Sequence, residues 1–408
     1  MSVRLTAAGI AWFFLTIGCY TLLAPIDGPS SIGAPVLSRA AAIVLAASLV
    51  VAALLAARSL RGQGDDSSIR AVRPVYGLWL GALIVAGIFS VLPWRSWSFL
   101  GLAMLSAAGS IALVRWWREP VVARAVVRTY LWGGLVLAGL ALVMEIAHRP
   151  AAVFAANLGR ATGLFVTPNQ FAAWLVPFLA TACGIALAAR SRGLQRLAAC
   201  GAALAAIDLA ATFSLGGWAG GCAALLAALW WLGRRPLAAI GAAFGVVLVA
   251  VAIASPAIVR HRQSERFVRL DAIRAGINVA ALFPLTGVGP LAYPRAYPLV
   301  RVPSSTEDAA IAEHPHDVTI SLLAETGLAG LAAIVAGWVL AGRTIVRGFR
   351  RATPQTRTLI ACVAAGLAGR FVHGLVDLVG ALELAYVWFP FTALLLALAR
   401  DGVAAEVL

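Results

Sequence analysis

Apolar runs of about twenty residues recur from one end of this chain to the other, and each could cross a roughly 30 Å hydrocarbon core as a helix. The apolar-polar alternation of a transmembrane β-barrel is missing. Of 408 residues, 62% are hydrophobic and 12% charged, which leaves too little polar surface to cover soluble domains of that size. The expectation is an all-α integral membrane protein, one polytopic domain over residues 1–408. Charged and Pro/Gly-rich breaks divide it into about twelve transmembrane helices, near 6–24, 36–57, 75–92, 97–114, 121–144, 170–189, 197–213, 217–233, 237–255, 318–342, 357–376 and 380–399.

A formal charge of +15 would suggest nucleic acid if the protein were soluble, but all 32 basic residues are arginines, clustered mostly between apolar runs. They read as topology signals, and no nucleic-acid partner is expected. With the N-terminus inside, short connections hold twenty arginines on the cytoplasmic side. The other side holds five, Arg39, Arg95, Arg149, Arg160 and Arg370. Both termini are then cytoplasmic, and the first helix is retained. The five cysteines all lie in apolar segments without ligand spacing, so the sequence gives no reason to expect a structural metal, a disulfide framework or a cofactor.

One long outer segment, 256–316, joins the ninth and tenth spans and carries seven further arginines. Long loops are translocated despite their charge. On a helix, Arg262, Arg266 and Arg269 fall within about 60° of one another, and Leu270, Ile273 and Ile277 continue that face. Such a helix suits the membrane boundary. Two readings stay open: guanidinium groups meeting ordinary lipid headgroups, or recognition of one phosphorylated lipid.

The segment ends in His314-Pro315-His316-Asp317 and runs directly into Val318 to Gly330. Pro315 stops a helix from extending backward, so His316 and Asp317 fall at a helix start. There the dipole disfavours a protonated imidazole. A neutral His316 could accept a proton, although a histidine at a membrane boundary is often merely polar. Glu325 lies about 12 Å along the same helix, where a carboxylate is costly unless paired or wet, and helix–helix bonding is its simpler reading. Asp208, Glu145, Asp377 and Glu383 read as span-end residues, and Gly327 and Gly330 as close-packing positions.

His316-Asp317, nine residues, then Gly327-Leu328-Ala329-Gly330 resembles the H-[N/S/Q]-x9-G-x-x-[G/T/Y] signature of O-antigen ligases. Gly159 to Asn169 is similar to the G-R-x-[S/T]-G-x-F-x-x-P-N segment of the O-antigen ligase and polymerase superfamily. Arg266 with Phe283 to Pro290 is similar to its R…P-L-x-G-V-G-x-G block. The motifs cover roughly residues 155–345. Two positions depart from the pattern: Asp317 replaces an amide or hydroxyl, and Ser214-Leu215-Gly216 stands where the family commonly has Ser-Arg-Gly.

The resemblance implies an inverting glycosyltransferase on the periplasmic side of the bacterial inner membrane. It would move a glycan from undecaprenyl pyrophosphate to a sugar hydroxyl, with no nucleotide sugar and no required metal. The acceptor would be lipid A-core for a ligase, or another lipid-linked repeat unit for an O-antigen or exopolysaccharide polymerase. His316 would accept or position the hydroxyl proton, and Arg266, the arginine that matches the family block, would stabilise negative charge on the departing pyrophosphate. Arg262 and Arg269 join the donor pyrophosphate set by helix facing, with Arg160 and Arg301 beside them, and Asp317, Glu325 and Asn169 would support the site. Leu215 leaves open whether another arginine supplies the missing charge or the chain is an inactive scaffold. A lipid or glycan transporter is the alternative from a different class, though the chain shows no internal repeat of the kind many transporters carry.

Overall fold

The computed structural model describes residues 67–117, 119–149, 151, 155, 157, 159–165, 167–239, 256–301, 314–377 and 387–402. The side chains of 67, 68, 113, 115, 116 and 256–268 are excepted. The described residues form helices and turns, with no strand among them. The helices are α1 (Ser67–Ile88), α2 (Pro93–Trp116), α3 (Pro120–Ala147), α4 (Pro168–Ala188), α5 (Arg192–Ala211), α6 (Leu215–Trp231), α7 (Pro256–Leu282), α8 (Tyr293–Val300), α9 (Val318–Arg351), α10 (Pro354–Asp377) and α11 (Phe389–Asp401).

The starts of these helices are written locally. Helices α2, α3, α4, α7 and α10 open on proline, whose fixed φ suits a first turn that has no use for its N–H. Thr167 caps α4 by accepting from Gln170 N at 3.2 Å, and Ser214 caps α6 by accepting from Gly217 N at 3.2 Å.

Among the described residues six helices, α1, α3, α4, α5, α9 and α10, are long and apolar enough to cross a membrane, and α6 is apolar but shorter. The chain is thus a multi-pass helical protein. The expected spans near 6–24, 36–57 and 237–255 lie outside the described residues, so these helices do not establish a count of twelve. Segment 256–316 contains the helices α7 and α8, in keeping with the helical reading of Arg262 to Ile277. One expectation needs correction. Arg370 does not sit in a short outer connection but is fully buried within α10, because this helix runs on to Asp377.

Helix α10 packs most closely on α6 and α4, while α9 leans on α1. The α6–α10 approach rests on glycine. A Cβ at Gly220 would come within 2.5 Å of Gly369 O, and one at Gly369 within 2.2 Å of Gly220 O. Backbones this close bring the N-terminus of α6 beside the C-terminus of α10, where Gly216 faces His373 and Val376.

Helix α9 breaks at Gly327, whose φ of 66° and ψ of −176° are open only to glycine. The break frees backbone groups, and the 284–289 turn takes them up. Leu328 N and Ala329 N donate to Pro284 O and Leu285 O at 2.8 and 3.2 Å, while Val288 N and Gly289 N donate to Ala324 O and Glu325 O, each at 3.0 Å. Gly327 is therefore more than the close-packing position expected from the sequence. Two motifs far apart in the chain are knitted into one backbone unit that fixes the first half of α9.

Candidate functional site

Helices α9 and α10 bring His316 and Asp377 together at one end of the molecule. Asp317 begins α9, its Oδ1 accepting from Thr319 N and Ile320 N at 2.8 Å each. Asp, Asn and Ser all cap well, so Asp317 keeps the local structure despite departing from the ligase signature. Immediately before it, His316 is held at a φ of 57°, a left-handed conformation that costs a non-glycine residue about 1–3 kcal/mol. Pro315 and Ile320 secure this corner against Gly276 of α7, where any Cβ would collide with both.

His316 Nδ1 meets Asp377 Oδ1 at 2.7 Å. The carboxylate gathers several other groups. Asn169 Nδ2 donates to Asp377 Oδ2. Arg269 Nη2 lies 3.8 Å from the same oxygen, and its Nη1 donates to Val376 O at 3.4 Å. His314 Nε2 is 3.6 Å from Asp377 Oδ1, and its ring centroid is 4.3 Å from that of His316. Behind Asn169, Arg160 donates from Nη2 to Asn169 Oδ1 at 3.1 Å and from Nε to Thr212 O at 2.8 Å. Helices α4, α7, α9 and α10 thus each contribute to one polar cluster.

Burial holds the His316 imidazole below its ordinary value. His314 acts in the same direction, Asp377 pulls it back up, and Arg269 lowers it again. The neutral ring, the form able to accept a proton, is favoured. A carboxylate at Nδ1 orients the ring with that nitrogen as donor, leaving Nε2 as the basic atom.

Of the residues expected from the sequence, His316, Arg269, Asn169 and Arg160 come together. Glu325 does not join them; it is fully buried beyond the first turns of α9, its carbonyl engaged by Gly289. Arg301 ends up at the C-terminus of α8, its N–H bonded to Tyr297 O. Arg262 and Arg266 lie on α7, but their side chains are outside the described residues. On the part of α7 that is described, Leu270 and Ile277 are exposed while Ala272, Ala275 and Val279 are buried.

Sequence reasoning treated Asp377 as a span-end residue and gave His314 no role. No motif names Asp377, whose partner His316 is 61 residues away. His373, one turn before Asp377, is fully buried, with neither ring nitrogen hydrogen-bonded, and it was missed as well. A signal for this turn did exist: His373 and Asp377 stand at i and i+4 at the end of an apolar span, facing the same way.

Residues 200–335 match the family model described as O-antigen ligase. The match begins in α5 and ends in α9, so it takes in Leu215, Arg269 and His316 but stops short of Asp377. No curated protein matches the chain.

Proposed function

From the O-antigen ligase family domain that this chain carries at residues 200–335, we propose that the protein transfers a glycan from undecaprenyl pyrophosphate to an acceptor sugar hydroxyl at the periplasmic face of the inner membrane. The observation that carries the proposal is the 2.7 Å contact between His316 Nδ1 and Asp377 Oδ1 at a helix start, with the Arg269 guanidinium beside it.

The acceptor oxygen attacks the anomeric carbon as the bond to the pyrophosphate breaks, inverting that centre. His316 Nε2 takes the hydroxyl proton, and Asp377 stabilises the imidazolium that forms. Negative charge grows on the leaving pyrophosphate, where arginine forks act with greatest effect. Arg269 and Arg266 are assigned to it, with Arg262 and Arg301 along the same outer segment. Arg160 is engaged with Asn169 and Thr212, which supports a positioning role through Asn169. Asp317 serves as the cap and Glu325 as a buried packing residue. The reaction as written needs no metal and no cofactor.

The acceptor class is tested by deleting the gene in its host and comparing glycans on gels, with wild-type and His316→Ala complements side by side. Core without attached long glycan, with long chains accumulating on the lipid carrier, identifies a ligase. Single repeat units or loss of a secreted polymer identifies a polymerase. Unchanged glycans reject both.

A further inference from the structure

His314 is not used by the chemistry above, yet it points at the site's central atom. Its Nδ1 is buried and makes no hydrogen bond, and its Nε2 turns to the same Asp377 oxygen that His316 contacts. Two imidazoles converging on one carboxylate oxygen make a place for a shared cation. One ligand atom from each of His314, His316 and Asp377 lies within 4.8 Å of the other two, and all three residues are half-buried, within reach of ions from solvent. The 3.6 Å between His314 Nε2 and Asp377 Oδ1 is close to the spacing of two ligands each held about 2 Å from one ion.

We propose that His314, His316 and Asp377 form a binding site for a divalent transition-metal ion of the zinc class, and that its occupation blocks glycan transfer. The donor set, two imidazole nitrogens and one carboxylate oxygen, suits zinc, cobalt or nickel better than magnesium or calcium. The blocking half of the proposal rests on the function proposed above. An ion on His316 Nδ1 displaces the proton from that nitrogen, and the neutral ring then keeps its proton on Nε2, the atom that must be bare to act as a base. The ion also takes the Asp377 oxygen that orients the ring. The Arg269 guanidinium, 3.8 Å from Asp377 Oδ2, opposes a second cation, so binding is weaker than in a closed structural zinc site.

The test is a titration of the full-length protein, purified in detergent and stripped with chelator. Zn²⁺ binding is followed by calorimetry and Co²⁺ binding by its visible absorption. Saturable binding of one ion per chain is expected, weakened more than about tenfold by His314→Ala and by Asp377→Asn, since loss of even an outer partner of a ligand costs that much. Unchanged melting temperatures show that both variants are folded. In vesicles, Zn²⁺ is expected to stop transfer reversibly, with chelator restoring it. Absence of saturable binding up to millimolar metal, binding indifferent to both substitutions, or full transfer by metal-loaded protein would each overturn the proposal. A chain that transfers no glycan under any condition rejects the proposed function, and the titration alone then decides the metal site.

Discussion

His316 Nδ1 and Asp377 Oδ1 stand 2.7 Å apart, one at the entry to α9 and the other at the exit of α10. Two helix ends, each fixed by its own packing, set this distance. The pairing defines what Asp377 contributes: it holds one nitrogen as donor and leaves the other basic. Asp377→Asn keeps the shape but removes the charge that favours this tautomer and the imidazolium. Transfer is expected to fall by about 10²–10⁴-fold, the range of a lost general-base function, with membrane insertion unchanged. Rates on purified lipid-linked donor measure this, and a variant as fast as wild type removes Asp377 from the mechanism.

On the proposed function, Arg269 is the arginine placed to supply the charge that Leu215 lacks. Leu215 is half-buried at the start of α6, and its neighbour Gly216 presses on His373 and Val376. Arg269 reaches the same turn from α7, through Val376 O and Asp377. Arg269→Ala is therefore expected to lower transfer by about 10²-fold, as loss of one charge-stabilising donor does. Adding Leu215→Arg to that variant should recover part of the loss, while Leu215→Arg alone changes little. Arg269→Ala at the wild-type rate would show that this guanidinium does not serve the donor.

Asp317 separates capping from chemistry. Its Oδ1 accepts from two backbone N–H groups of the first turn of α9. Asparagine caps equally well, so Asp317→Asn should leave both melting temperature and transfer near wild type. Asp317→Ala should cost about 1 kcal/mol of stability. A large activity loss in the asparagine variant, with stability intact, would place a charge requirement at this position.

The helices were legible because apolar runs, prolines at first turns and capping residues are local signals. Pro93, Pro120, Pro168 and Pro354 all stand where a helix begins. His316, Asn169, Arg160 and Arg269 were legible as candidates because each belongs to a motif or a helix face. What brings them together was not. Asp377 carries no motif, and its role depends on the Gly220–Gly369 contact that sets α10 against α6. Arg370 was misplaced because an arginine is costly inside a span and so was counted with the outer connections, although it falls within the stretch expected near 357–376. The turn at 284–289 read only as part of a family-like block, whereas its carbonyls and N–H groups complete the broken helix α9.

That break gives the sharpest stability prediction. Gly327 combines a positive φ with an extended ψ, and a Cβ there would lie 2.3 Å from Leu285 C and O. Alanine must therefore either take a conformation that costs about 1–3 kcal/mol, or straighten α9 and forfeit the four hydrogen bonds to the 284–289 turn. The overlap is with backbone, which cannot swing aside as a side chain would. Gly327→Ala is expected to lower the melting temperature of the detergent-solubilised protein by several degrees and to reduce folded yield. Gly342→Ala is the control, since it sits in the same helix with nothing within 4 Å of the added Cβ and should cost nothing. Because the break fixes the half of α9 that begins at Asp317, Gly327→Ala protein that does fold should also transfer more slowly than the control. Equal melting temperatures for the two variants would mean that the break is not needed to hold α9 in place.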